Sequence, residues 1–189
     1  MSYSEIIIKM NDPKTFIDPD NFSLDSFRLG KTIYNSGYIP TKMVGVWRWG
    51  AEICFRVDEF YRFKGYRIPT FPVKSEHYDE EGKRSEEVKL FDVESLKKVI
   101  TGSDDLLIID EVEDSGESLG KIVKELKAIT PRIKTATLYY KPEKRLVELV
   151  PDFYLHETSE WLVWPGELEN LTMDEIKQKS SELYFILTT

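Results

Sequence analysis

At 189 residues, with 34 acidic against 26 basic side chains and a formal net charge of -8, the chain is long enough for one α/β domain and too acidic for a general nucleic-acid binder, whose affinity rests on Lys and Arg neutralising phosphates. The single cysteine, Cys54, excludes an internal disulfide and a cysteine metal cluster and fits a reducing cytosol. No apolar run approaches the roughly 18 to 20 residues of a membrane span, and the N-terminus lacks the basic start and apolar stretch of a signal peptide, so the chain reads as soluble and cytoplasmic, with no membrane partner.

In chain order, Ile6-Ile7-Ile8 suggests a short strand. Ser23 to Ser36 has a Ser cap, helical spacing and a stop at Gly37, which predicts a helix. Met43 to Trp47 reads as a strand, and Gly50 to Phe63 as a helix with Ile53, Val57, Phe60 and Tyr61 on one face. Cys54 on that helix is expected in the core. Arg67 to Val73 reads as extended despite its prolines, and the polar stretch 75–89, with Gly82, reads as a mobile loop. Leu106 to Ile109 are four consecutive aliphatic residues, as suits a strand buried on both faces of a parallel sheet. A helix over Ser118 to Ile129 and a strand over Thr135 to Tyr140 follow, and Met173 to Leu183 is a further helix, covering a sheet edge or a subunit interface. The alternation predicts an α/β fold: an open, mainly parallel sheet flanked by helices, with ligands at the carboxyl ends of the strands. The whole chain, 1–189, is expected to form a single domain. His77 and His156 lie far apart in sequence and suggest no histidine metal site.

The stretch Leu106 to Leu119 joins the buried strand to the acids Asp110 and Glu111, then to Asp114-Ser115-Gly116-Glu117-Ser118 and a helix. Helix-initial amides at the positive end of a helix dipole hold phosphate without a Lys or Arg. The same residues also suit an ordinary strand-turn-helix, since Asp, Ser and Gly are common turn and cap residues. Strand, adjacent acids, third acid and Ser-Gly-x-Ser in this order resemble the nucleotide-binding signature of type I phosphoribosyltransferases. That resemblance implies the type I phosphoribosyltransferase fold, with a small hood formed from N-terminal residues and the segment around 150–189. It implies that Asp110 and Glu111 bind the ribose hydroxyls of 5-phosphoribosyl 1-pyrophosphate (PRPP), and that Asp114, Ser115, Gly116, Glu117 and Ser118 form the loop for its 5′-phosphate. Glu117 is expected to point outward, because a carboxylate against the phosphate would repel it.

Lys141-Pro142 after an aromatic strand, followed by Trp161-Leu162-Val163-Trp164-Pro165-Gly166-Glu167, resembles the 6-oxopurine branch, the xanthine/hypoxanthine-guanine enzymes of purine salvage. The resemblance implies that Lys141 donates to the purine O6, Trp161 stacks on the ring, and the Leu162 main chain meets the edge bearing the 2-substituent. Taken singly, Trp161 also suits core packing and Lys141 a solvated surface. Glu167 stands where relatives carry an Asp facing magnesium; Gly166 replaces their usual Trp. Arg48-Trp49-Gly50 corresponds to the pyrophosphate loop, with Trp49 where small residues are common, and Ser75 with Tyr78 corresponds to the flexible loop that closes over pyrophosphate and excludes water.

The implied function is transfer of phosphoribosyl from PRPP to guanine, hypoxanthine or xanthine, with Asp114 as base toward purine N7, Lys141 stabilising O6, and Mg²⁺ held by Asp110, Glu111 and Glu167. The implied assembly is a homodimer or homotetramer. The alternatives are an enzyme of the same fold acting on another base, such as adenine or orotate, and a phosphoribosyltransferase-like regulator that senses a nucleotide.

Overall fold

The computed structural model describes residues 14–78 and 84–189, the side chains of 77–78 and 84–87 excepted. The chain forms two compact units: the described part of 1–22 together with Glu160–Thr189, and Ser23–Ser159. Ile6-Ile7-Ile8 and Gly82 lie outside the described residues.

In the smaller unit, β1 (Lys14–Phe16) pairs in parallel with β8 (Trp161–Val163), which places Lys14 opposite Trp161. Phe22 meets Trp164 edge to face at 6.0 Å, and Lys14 bridges to Glu175 at 2.8 Å. The expected helix over Met173 to Leu183 is two helices, α5 (Met173–Lys179) and α6 (Ser181–Thr188). Ser180 separates them in extended conformation, and its hydroxyl accepts the Leu183 amide at 3.1 Å. A serine that caps its own downstream backbone starts a new helix rather than continuing the old one.

Helix α1 (Pro19–Asn35) starts four residues before the expected cap. Pro19 suits a first helical position, and the Asp18 carboxylate accepts the Asn21 amide at 2.8 Å. Ser23 instead accepts a hydrogen bond from Arg56 at 3.3 Å. Gly37 ends the segment as expected, at φ +83°.

The larger unit is built on six strands in the order β4-β3-β2-β5-β6-β7. They are β2 (Lys42–Trp47), β3 (Thr70–Tyr78), β4 (Arg84–Phe91), β5 (Leu106–Glu113), β6 (Ile133–Tyr140) and β7 (Phe153–Glu157). All neighbours are parallel except β3 and β4. That hairpin corrects the expected loop over 75–89: residues 75–78 and 84–89 are strand, with Ser75 opposite Leu90. β4 is the edge strand of the sheet, and an edge tolerates charges that a central strand excludes.

Helices follow the alternation. Helix α2 (Trp49–Phe63) joins β2 to β3, α3 (Val93–Val99) joins β4 to β5, and α4 (Glu117–Lys127) joins β5 to β6. One layer of core packs Val44, Val46, Val73, Leu106 and Ile108 against Leu96, Leu119, Ile122 and Leu126. Strand alternation sends Met43, Leu107 and Ile109 to the opposite face, and all three are fully buried. On α2, Ile53, Cys54, Val57 and Tyr61 are fully buried as well. With both faces covered, the run Leu106–Ile109 has no solvent side, which is why it needs four aliphatic residues without alternation. No described helix is long and apolar enough to cross a membrane.

Candidate active site

The larger unit brings the carboxyl ends of β2, β5 and β6, neighbours in the sheet, to one edge. At the end of β5 the aliphatic run gives way to Asp110, which is 7% exposed, and to half-buried Glu111. Helix α2 begins directly after β2, through a cis peptide between Trp47 and Arg48. Its Gly50 lies against β5 so closely that a Cβ there would fall 2.7 Å from the Ile109 carbonyl and 2.8 Å from Asp110 Cα. That contact lets the Gly50 amide donate to Glu111 Oε2 at 3.0 Å. The Arg48-Trp49-Gly50 segment and the acid pair, distant in sequence, are therefore one structure, with Arg48 exposed at the helix start.

Asp110 and Glu111 crowd two carboxyls into little water. Burial raises the Asp110 pKa above the ordinary carboxylate range. Burial, and after it the charge of Asp110, raises Glu111 well above that range. A pair in this condition shares a proton or recruits a cation.

The turn after β5 reverses through Gly116 at φ +84°, where a Cβ would strike Val147 Cγ2 at 2.2 Å and Glu113 Oε1 at 2.7 Å. Only glycine fits here on both counts. Helix α4 then opens from Glu117. Ser118 Oγ is 3.3 Å from Ser75 Oγ, which ties the turn to β3; the Tyr78 side chain lies outside the described residues. Glu117 differs from expectation. Rather than pointing outward, it folds back, and its Oε2 accepts the Ser115 hydroxyl at 3.1 Å. A carboxylate one residue past the turn finds in that hydroxyl a nearer donor than bulk water.

Lys141 follows β6 and is 4% exposed, which removes the solvated-surface alternative. Its Nζ meets Asp114 Oδ2 at 3.1 Å, and its amide donates to the Glu113 carbonyl at 2.9 Å. The Leu146 amide donates to the Ser115 carbonyl at 2.9 Å. The segment after β6 is thus stitched to the turn after β5, and Val147 closes on Gly116. A cation and a carboxylate stand side by side at the ends of adjacent strands.

Glu113 escaped the sequence reading. It is 1% exposed, and its Oε1 has no hydrogen-bond partner among the described residues. The available signal was an acid in the final strand position before the turn, where aliphatic residues are the rule for a doubly covered strand. Burial, followed by the charge of Asp114, pushes its carboxyl up to about 7 from an ordinary 4.5. Because the folded value is the higher one, the stability tied to this proton is complete below about pH 4.5 and is lost as pH rises through about 7. Glu113→Gln is expected to exceed the native chain in stability at pH 8 by on the order of 2 to 3 kcal/mol, with the advantage vanishing near pH 4.5 in urea titrations. A difference that does not change with pH would remove the buried acid as its cause.

In the smaller unit, described by itself, Trp161 is half-buried, whereas Leu162, Val163 and Trp164 are buried. The core tryptophan of the pair is therefore Trp164. Glu167 closes a short turn, its Oε2 accepting the Trp164 amide at 3.0 Å, and Lys179 donates to the carbonyls of Trp164 and Glu167 at 2.6 and 2.7 Å.

The family model for the phosphoribosyl transferase domain matches residues 49–171. No curated protein matches the sequence. Solved structures share the fold. A purine phosphoribosyltransferase from Pyrococcus horikoshii is 24% identical at a TM-score of 0.65, over 84% of this chain and 97% of that one. The xanthine-guanine-hypoxanthine phosphoribosyltransferase of Helicobacter pylori is 20% identical at 0.65, over 90% and 99%. A hypothetical protein from Neisseria gonorrhoeae, solved with bound ppGpp, is 22% identical at 0.69, over 90% and 97%.

Proposed function

The chain belongs to the family of phosphoribosyl transferase domains, a family of transferases, and from that premise we propose that it transfers the phosphoribosyl group of PRPP to a 6-oxopurine. The products are the nucleoside 5′-monophosphate and pyrophosphate, with inversion at the sugar carbon. The observation that carries the reading is the pairing of buried Lys141 with Asp114 at 3.1 Å, beside the Ser115-Gly116 turn. A 6-oxopurine presents a carbonyl acceptor at O6 and a ring nitrogen that must lose a proton as the base attacks. Lys141 answers the first and Asp114 the second. Adenine, with an amine at position 6, would turn hydrogens toward a group that only donates.

Asp110 and Glu111 hold the ribose hydroxyls. The amides and hydroxyls of Ser115, Gly116, Glu117 and Ser118 take the 5′-phosphate. Arg48, Trp49 and Gly50 face the leaving pyrophosphate, and Ser75 with Tyr78 belongs to the ribbon that shields it from water. Trp161 supplies the stacking ring, and the Leu162 main chain meets the purine edge that distinguishes guanine, hypoxanthine and xanthine.

The crowded pair Asp110 and Glu111, both held toward the neutral form by burial, fits Mg²⁺, a hard cation that takes one or two carboxylates together with substrate oxygens and water. Among the described residues no three His, Cys, Asp or Glu side chains form a closed cage, so substrate oxygens and water would complete the shell. When bound, the ion supplies positive charge against the pyrophosphate.

The test is pyrophosphate release from PRPP and Mg²⁺ with guanine, hypoxanthine, xanthine, adenine and orotate, one base at a time. Turnover confined to the first three is the expected result. Turnover with adenine or orotate would overturn the purine assignment, and no turnover in folded protein that still binds PRPP would turn the reading to a nucleotide-sensing regulator.

A further inference from the structure

Within the phosphate-holding reading of the turn, Glu117 faces the wrong way for a residue that merely decorates a helix. Its Oε2 accepts the Ser115 hydroxyl at 3.1 Å, and its own amide approaches the same Oγ at 3.4 Å. The side chain is therefore folded over the first turn of α4, on one of the donors that a 5′-phosphate requires. A phosphate dianion and a carboxylate cannot both hold one hydroxyl hydrogen, and their like charges oppose sharing the volume around it. Substrate that takes Ser115 must take it from Glu117.

The displaced carboxylate has a defined place to go. Lys121 lies four residues on, in the favourable order of acid before base along a helix. Glu117, Lys121 and Lys124 line a single open cavity of about 410 Å³ together with Gly116 and Gly120. Gly120 leaves the route between them clear, since even a Cβ there would meet only Val147 Cγ2, at 3.7 Å. The neighbouring acid on α4, Glu125, is held first by Lys97 at 2.7 Å, with Lys121 and Lys124 as weaker charge neighbours.

We infer that Glu117 is a built-in competitor for the 5′-phosphate and that Lys121 is the partner that receives it when phosphate binds. The pair sets phosphoribosyl affinity without touching the base, so it acts on PRPP and on the nucleotide product alike and leaves the purine site alone.

The experiment is calorimetric titration of the full chain with PRPP, ribose 5-phosphate and inorganic phosphate, and of the free base separately. Glu117→Gln is expected to bind PRPP and ribose 5-phosphate about 3- to 10-fold more tightly, the scale of one screened charge contact, with KM for PRPP falling and KM for the base unchanged. Lys121→Met is expected to weaken both phosphate ligands about 2- to 3-fold, and to have no effect in a chain already carrying Glu117→Gln, because the two changes act through one contact. Glu117→Gln that binds no more tightly than the native chain would overturn the inference alone. A Lys121→Met loss that persists beside Glu117→Gln would make Lys121 a direct phosphate ligand and remove it as the receiving partner. Native protein that binds none of the three phosphate compounds would overturn the phosphate reading of the turn itself, and the inference with it.

Discussion

Asp114→Asn is expected to lower kcat about 10²- to 10⁴-fold, the usual contribution of a positioned general base, while KM for PRPP and for the purine changes little. The substitution preserves shape, and an amide oxygen still accepts from Lys141, which stands 3.1 Å away. It removes the ability to take the N7 proton. An interaction needed only as the proton moves shows itself in kcat, whereas one that holds substrate throughout shows itself in KM. Single-turnover rates with saturating PRPP and guanine make the distinction, with circular dichroism to verify the fold. Native-like turnover would end the assignment of Asp114 as the base, and a pure KM effect would recast it as a binding group.

Gly50→Ala is expected to damage both stability and activity. Its new methyl would stand 2.7 Å from the Ile109 carbonyl and 2.8 Å from Asp110 Cα. Both obstacles are backbone of a strand packed on two faces, so neither yields by rotating a side chain. Forcing a methyl into such a site typically costs about 1 to 3 kcal/mol, or roughly 2 to 4 °C in Tm for each kcal/mol at this chain length. The Gly50 amide also leaves Glu111, and the acid pair shifts with it. A displacement approaching 1 Å at a reacting centre costs on the order of 10²-fold in kcat/KM. Gly37→Ala serves as the control, since Gly37 has φ +83° and open space for a methyl; there a strained backbone lowers stability with no loss of activity per folded molecule. Equal losses in the two variants would place the Gly50 effect in global stability rather than in the site.

Much of the architecture was legible locally. Four aliphatic residues ending in Asp110-Glu111, then a small-residue turn and an amphipathic helix, mark strand, turn and helix within fourteen positions, because backbone preferences and burial periodicity act over that range. The helix of Gly50 to Phe63 and the strand ending at Tyr140 were read within a few residues for the same reason. The hairpin of β3 and β4 was not, since its stability comes from pairing Lys74 with Phe91 across the chain, and a polar edge strand resembles a loop in composition. Helix α3 was missed as well, a short element whose Val93 and Leu96 matter only once the sheet is there to receive them.

The sequence by itself determined the chemical inventory: an acid pair, a third acid, a Ser-Gly turn, a lysine after an aromatic strand, and too few cations for a polyanion partner. These are statements about covalent order, and order needs no folding to be read. Only the tertiary structure decided which groups meet and in what dielectric. It laid the Gly50 amide on Glu111, drew Lys141 out of water against Asp114, buried Glu113 with one oxygen lacking a partner among the described residues, and turned Glu117 onto Ser115. Such contacts depend on strand register, crossover and close approach of backbones, and a carboxyl's charge depends on the water left around it. Both are properties of chain segments brought together from afar.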